Sequence, residues 1–116
     1  MNTPKNLKYA KSHEWVEFLE NGRARIGLTD HAQHNMGDIV FIGLPEAGAQ
    51  VGQHEAVGEV ESVKAVSDVF SPLSGQGMVV NGSLEDSPEK INQAPYEAGL
   101  FELGDYAGEG ELLDAE

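Results

Sequence analysis

The stretch Glu61-Ser62-Val63-Lys64-Ala65-Val66-Ser67-Asp68 contains Lys64, which lies between two β-prone segments at 57–63 and 65–70. If these segments pair, Lys64 lies at the tip of a hairpin, where it is exposed and can be reached by another enzyme. No other basic side chain occurs between residues 26 and 89. Acylation of such a lysine would remove its charge and lengthen its stem into a tether. A lone lysine at a turn is more often an ordinary solvated residue, so the motifs around Lys64 must decide whether it is functional.

Strand signals dominate the chain on both sides of this hairpin. Residues 14–18 and 23–28 are strand-like, and Asn21-Gly22 between them is a residue pair preferred in tight hairpins. The apolar run at 39–44 predicts a buried strand, and a further strand is expected at 78–80. The pattern predicts a mainly β fold.

Two short helices interrupt the strands. Thr29 can cap the first helix and Gly37 can end it. Ser87 and Pro88 resemble the cap and first residue of a second helix, which Pro95 must end within about two turns.

Composition restricts the classes of function. The 116 residues suit one domain, and the absence of cysteine excludes disulfides, thiolate metal sites and cysteine nucleophiles. The formal net charge of −13 disfavours binding to nucleic acid or to anionic lipid. It either favours basic protein partners or only keeps a small protein soluble. No apolar run approaches the roughly 20 residues that span a bilayer, and the first residues lack the apolar core of a secretory signal. We expect a monomer in the cytoplasm, or in the mitochondrial matrix if a transit peptide has been removed.

Acidic residues mark the C-terminal end of the chain. Beyond Lys90 there are seven carboxylates and no basic side chain: Glu97, Glu102, Asp105, Glu109, Glu111, Asp114 and Glu116. We expect a carrier domain over residues 1–103 and an acidic tail over residues 104–116, extended by self-repulsion.

The stretch around Lys64 is similar to the lipoylation motif of glycine cleavage H proteins, and the similarity continues through most of the chain. Further matching motifs follow in the order of that family: Lys8-Tyr9-Ala10, Ser12-His13-Glu14-Trp15, Gly27-Leu28-Thr29-Asp30-His31-Ala32-Gln33, Gly37-Asp38-Ile39-Val40-Phe41, Leu44-Pro45-Glu46, Ser71-Pro72-Leu73-Ser74-Gly75, Leu84-Glu85-Asp86-Ser87-Pro88-Glu89 and Pro95-Tyr96. The resemblance covers roughly residues 7 to 99.

This resemblance implies a lipoyl-domain-like barrel-sandwich hybrid of two antiparallel sheets with a few short helices. It implies (R)-lipoate joined to Lys64 through an amide by a lipoyl ligase or transferase. Such a carrier is not an enzyme. It takes an aminomethyl group from the glycine decarboxylase (P protein), passes it to the aminomethyltransferase (T protein) and is reoxidised by dihydrolipoyl dehydrogenase (L protein). Because the intermediate is tethered, it reaches each enzyme at a high effective concentration.

The resemblance also implies a surface cleft that shields the loaded arm from water. A cationic amine in that cleft needs carboxylate or hydroxyl partners. By position, Ser12, Glu14 and Asp68 are the candidate partners. Glu61, beside the hairpin tip, is the candidate for recognition by the ligase.

The chain departs from the family near its C-terminal end. Leu100 stands where the family usually has tryptophan, so Phe101 and Leu103 either fill that part of the core or belong to a shifted strand. Gln76-Gly77-Met78 is also unusual, because glycine weakens a strand interior. An altered surface leaves open an alternative role as an H-like lipoate carrier in another pathway, such as heterodisulfide-reductase-like sulfur oxidation or a lipoyl relay.

Two other classes of function are weaker interpretations. His31 and His34 could face one side of a helix, but no HExxH pattern is present and a solvated helix face explains the pair, so no metal site is predicted. His13 and His54 are interpreted as isolated residues. Biotin carriers favour methionines beside the modified lysine, whereas Val63 and Ala65 flank Lys64.

Overall fold

Nine strands and three short helices make up the described part of the chain in a computed structural model, which covers residues 7–10, 13–19, 22–44, 48–108 and 112. In chain order they are β1 (Lys8–Tyr9), β2 (Glu14–Phe18), β3 (Ala24–Leu28), α1 (Asp30–Met36), β4 (Ile39–Gly43), β5 (Gln50–Val51), β6 (Ala56–Ser62), β7 (Val66–Phe70), β8 (Ser74–Val80), α2 (Ser83–Asp86), α3 (Lys90–Gln93) and β9 (Phe101–Ala107). None of the helices within these ranges is long and apolar enough to cross a membrane.

The strands form two antiparallel sheets. One has the order β1-β2-β3-β9-β8-β5, and the other has the order β4-β6-β7. Side chains from both sheets share one core, in which Ile26, Ile42, Leu73 and Leu103 are completely buried. The predicted fold class is therefore confirmed.

The predicted caps of α1 are confirmed. The Thr29 hydroxyl accepts a hydrogen bond from the Ala32 N–H at 3.1 Å. Gly37 ends the helix with a φ of +79°, a backbone conformation that residues with a Cβ rarely adopt. Because this helix leads directly into β4, its end sets where the smaller sheet begins.

The predicted start of the second helix is wrong by a few residues. Ser87 ends α2, since its N–H donates to the Ser83 carbonyl, so it does not cap the next helix. Helix α3 begins only at Lys90 and stops at Gln93, and its predicted end before Pro95 is confirmed.

The unusual stretch around Gly77 lies inside β8, which begins four residues before the expected strand at 78–80. Two register irregularities against β9 accommodate its glycines. A Cβ at Gly75 would lie 2.8 Å from the Gly104 carbonyl oxygen, so only glycine lets these two backbones approach so closely.

The core accommodates leucine at position 100, where the family usually has tryptophan, and the last strand is retained. Leu100 and Leu103 are completely buried and Phe101 is nearly so. Phe101 lies opposite Ile26, and the Leu100 N–H donates to the Ile26 carbonyl at 2.7 Å. The boundary expected between residues 103 and 104 falls within β9, so residues 104–107 are part of the larger sheet. Most of the expected acidic tail, at 109–111 and 113–116, lies outside the described residues.

Candidate functional site

Lys64 lies at the exposed tip of the hairpin formed by β6 and β7, as the sequence predicts. The Ser62 N–H donates to the Ala65 carbonyl at 2.8 Å and closes the turn. The Ser62 hydroxyl accepts hydrogen bonds from the N–H groups of Lys64, at 3.2 Å, and Ala65, at 3.1 Å. Serine side chains stabilise turns in this way. The turn therefore has a defined backbone, while the lysine side chain extends from it.

The tip of the hairpin is attached to the junction between α1 and β4. The Val63 N–H donates to the Asp38 carbonyl at 3.2 Å. A Cβ built at Gly37 would lie 3.4 Å from Cε of Lys64, so the lysine stem passes over the end of α1. The position of Lys64 consequently depends on how that junction is held.

Asn92 on α3 holds the junction with three hydrogen bonds. Its Oδ1 accepts from the Ile39 N–H at 2.8 Å, and its Nδ2 donates to the Gly37 carbonyl at 2.8 Å and to Oε1 of Gln33 at 2.9 Å. Sequence reasoning did not identify Asn92, because nothing within α3 itself indicates partners more than 50 residues away.

A cavity of about 180 Å³ lies beside the hairpin, between β2, α1 and the smaller sheet. It is lined by His13, Glu14, Leu28, Ala32, Asn35, Met36, Val60, Ser67 and Asp68. Two of the three residues proposed from the sequence as cleft partners, Glu14 and Asp68, thus lie in one cavity. The third, Ser12, lies outside the described residues.

Glu14 is the buried carboxylate of this cavity. Only 1% of its surface is exposed, and its Oε2 accepts from the Phe70 N–H at 3.4 Å. The contact joins β2 of the larger sheet to β7 of the smaller one. Asp68, by contrast, is exposed on β7, where it lies directly opposite Glu59 and also lines the cavity.

The interpretation of His13 as an isolated residue is wrong. Its backbone has a φ of +71°, and its ring centroid lies 4.3 Å from that of His31 on α1. Desolvation of the ring and repulsion from His31 lower the pKa of His13 below its usual value. The sequence carries no signal for this pair, since the two rings meet only when β2 and α1 pack together.

Glu61 lies on the stem of the hairpin and is not among the residues that line the cavity. It is directly opposite Val66 on β7. His31 and His34 were considered as metal ligands from the sequence. Within the described ranges, no group of three histidine, cysteine, aspartate or glutamate side chains is arranged to hold a metal, so this pair has no third ligand there. Nε2 of His31 lies 3.0 Å from Nδ2 of Asn35.

The cavity lies along the hairpin stem, and Lys64 itself is not among the residues that line it. The Lys64 stem passes over Gly37, the residue after the cavity residue Met36. A lysine stem reaches about 6 Å from its Cα, given ordinary bond lengths. A lengthened arm on Lys64 could enter the cavity. Fold and site together are those of a swinging-arm carrier, with an exposed lysine on a hairpin beside a cavity.

Comparison with known proteins narrows this class to one family. The sequence model of the glycine cleavage H-protein family matches residues 7–105. The glycine cleavage system H protein of Aeromonas hydrophila is 53% identical over 97% of this chain and 90% of its own length. That of Brevibacillus brevis is 49% identical over 100% of this chain and 94% of its own length. A crystal structure of the glycine cleavage system H protein from Mycobacterium marinum superposes with a TM-score of 0.89 at 39% identity, over 97% of this chain and 92% of that one.

The chain belongs to the glycine cleavage H-protein family. The resemblance inferred from the sequence is thereby confirmed, and so is the role of lipoyl carrier in the glycine cleavage system. These relatives do not support the alternative of a carrier that serves another pathway.

Proposed function

We propose that this protein carries (R)-lipoate as an amide on Lys64. On that arm it moves the aminomethyl group of glycine from glycine decarboxylase to aminomethyltransferase, and dihydrolipoyl dehydrogenase then reoxidises it. The observation that supports this assignment best is the place of Lys64, exposed at the tip of a hairpin with a partly enclosed cavity within reach of a lengthened arm. When bound, lipoate supplies the sulfur chemistry of group transfer and redox cycling.

The chain's own residues present and shield the arm. The Ser62 hydroxyl orders the turn from which Lys64 extends, so a lipoyl ligase or transferase meets a defined backbone. Glu61, next to that turn on the hairpin stem, is the residue we assign to recognition by this enzyme. None of these residues performs the chemistry, and the protein acts as a substrate of its partner enzymes.

The cavity is suited to a cationic amine. Glu14 and Asp68 supply carboxylates that can accept charge-assisted hydrogen bonds from an ammonium group, and we assign Ser12 to the same set by sequence position. The lowered pKa of His13 keeps its ring neutral at neutral pH, so it adds no positive charge beside the guest. Apolar side chains such as Leu28 and Val60 complete the lining and limit access of water. We propose that the carrier works as a monomer in the cytoplasm, without nucleic-acid or membrane partners.

Mass spectrometry after incubation with a lipoyl ligase, ATP and lipoate tests the attachment site. The expected result is a single lipoyl adduct on the peptide that contains Lys64, and none on a Lys64→Arg variant. Lys90→Arg is the matched control, because Lys90 is also exposed but lies on α3. An unmodified wild-type protein that is demonstrably folded, or an adduct on another lysine, would overturn the assignment.

The shielding role of the cavity is tested by the rate at which the loaded carrier, without partner enzymes, loses its aminomethyl group to solvent. Glu14→Gln should accelerate this loss by about 10- to 100-fold, since a hydrogen bond to a charged group contributes about 1.5–3 kcal/mol. Glu59→Gln is the control, because Glu59 is an exposed carboxylate on β6 that does not line the cavity. Equal rates for the two variants would contradict the shielding role of Glu14.

A further inference from the structure

The outer face of the β4-β6-β7 sheet carries an apolar patch next to Lys64. It consists of Val40, Phe41, Val63 and Val66, whose exposed fractions are 54%, 47%, 72% and 64%. Among the described residues, the one other large hydrophobic side chain that is exposed is Phe18, which packs against Tyr106 on the larger sheet. Large apolar side chains are thus concentrated on the small sheet and at the tip of its hairpin.

A register irregularity in β4 creates this patch. Strict alternation along a strand would place Val40 and Phe41 on opposite faces. The pairing of β4 with β6 shifts between Ile39 and Phe41, so Val40 is an extra residue and both side chains point outward. Ile39 and Ile42 on either side are buried. Bulges that redirect a side chain are frequent at functional sites.

Cross-strand pairing then connects the patch to the hairpin. Phe41 on β4 and Val66 on β7 are both directly opposite Glu61 on β6, so the three side chains form one row across the sheet. Val63 lies at the tip, immediately before Lys64. The row places apolar surface on both sides of the Glu61 carboxylate.

The rim of the patch is acidic. Glu59 and Asp68 are paired directly across β6 and β7, and Asp38 is exposed where the hairpin tip meets β4. Like charges directly opposite each other on a sheet repel. Within the described part of the chain, no ion pair neutralises these carboxylates or Glu61. A basic partner surface would relieve this repulsion.

From these observations we propose that the apolar patch is the docking surface for the enzyme that acylates Lys64, which meets it with an apolar centre and a lysine- or arginine-rich rim. The inference rests on the proposed function and adds the surface on which it depends.

The short reach of the unmodified lysine side chain distinguishes the acylating enzyme from the partners that act on the loaded arm. In the acylation step an amide bond forms between Nζ of Lys64 and the lipoyl carbonyl of an acyl adenylate, the bond from that carbonyl to phosphate breaks, AMP leaves, and Nζ loses a proton. Nζ itself must enter the enzyme's reaction centre, although the lysine stem spans only about 6 Å. The acylating enzyme must therefore contact the residues around the hairpin tip. Enzymes that act on the loaded arm receive a longer tether and do not need this patch.

Steady-state lipoylation of the full chain by a lipoyl ligase, with ATP and lipoate, tests the proposal. Phe41→Ser and Val66→Ser should each raise the KM for the carrier roughly tenfold, as expected for a central apolar contact of an interface, with kcat nearly unchanged. Phe18→Ser is the matched control, since Phe18 is 40% exposed on the other sheet, and it should keep the wild-type KM. The wild-type KM should also rise with NaCl concentration because salt screens the acidic rim. Urea unfolding of each variant verifies that it is folded.

The outcomes separate the two proposals. Wild-type KM values for Phe41→Ser and Val66→Ser, while the wild-type protein is lipoylated on Lys64, would overturn the docking surface and leave the carrier function intact. Failure of the wild-type protein to accept lipoate would overturn the carrier function itself. Variants lipoylated to completion at high ligase concentration should be reduced at the wild-type rate when dihydrolipoyl dehydrogenase runs in reverse with NADH as the reductant. A matching loss in that assay would contradict a patch specific to acylation.

Discussion

Replacing Gly27 by alanine should destabilise this protein, although alanine is ordinarily the better strand residue. Gly27 lies directly opposite Trp15 in the pairing of β2 with β3. A Cβ there would lie 2.5 Å from Cε2 and 2.7 Å from Nε1 of the indole. The ring cannot easily move away, because it is completely buried and its Nε1 donates to the Pro95 carbonyl at 3.0 Å.

The magnitude follows from two opposing contributions. Overpacking of a core costs about 1–3 kcal/mol, and weakening the hydrogen bond from Trp15 costs about 1 kcal/mol. Removing a glycine from a strand returns roughly 0.5–1 kcal/mol. The free energy of unfolding should therefore fall by about 1–3.5 kcal/mol. Since Glu14 and Leu28 adjoin this pair and line the cavity, the variant should also shield a loaded arm less well.

Equilibrium unfolding in urea, followed by fluorescence, measures this change at the site itself because Trp15 is the only tryptophan in the chain. Gly82→Ala is the control: a Cβ there meets nothing within 4 Å, and its φ of −62° suits any residue. In a Trp15→Phe background, read by circular dichroism, the cost of Gly27→Ala should shrink because the smaller ring leaves more space. A Gly27→Ala protein as stable as the wild type, or more so, would refute the steric argument.

Three further changes test other parts of the structure. Asn92→Ala should lower the free energy of unfolding in urea by about 2–4 kcal/mol, because it leaves the Ile39 N–H without its acceptor; a loss below 0.5 kcal/mol would count against the bridge. Burial and the nearby Tyr96 raise the pKa of Tyr9 to about 12, so the folded protein retains a proton that the unfolded chain releases above pH 10. Stability should thus decline from pH 10 to 12, and Tyr9→Phe should flatten that decline; identical pH profiles would exclude this origin. Gly37→Ala should reduce Tm, since the helix ends at a φ of +79° and the new methyl would crowd the Lys64 stem at 3.4 Å; an unchanged Tm would contradict it.

The hairpin and the caps could be predicted because their signals are local. A turn flanked by β-prone residues places Lys64 at a tip whatever lies elsewhere in the chain, and the Thr29 cap of α1 likewise depends on a hydrogen bond over three residues. The start of α3 was misplaced for a related reason. Ser87 carries the features of a cap, but its backbone already ends the preceding helix, and that competition depends on where α2 stops.

The motifs, read in family order, were enough to assign the chain to a mainly β family of lipoyl carriers and to predict Lys64 as the attachment site. The surroundings of Lys64 depend on contacts between residues that are far apart in the chain. Asn92 reaches the base of the hairpin from 53 residues away, Glu14 and Asp68 meet in one cavity, and Val40 faces outward because of a bulge. Contacts over such separations arise from the packing of two sheets around a shared core, so they cannot be predicted from a local pattern of residues.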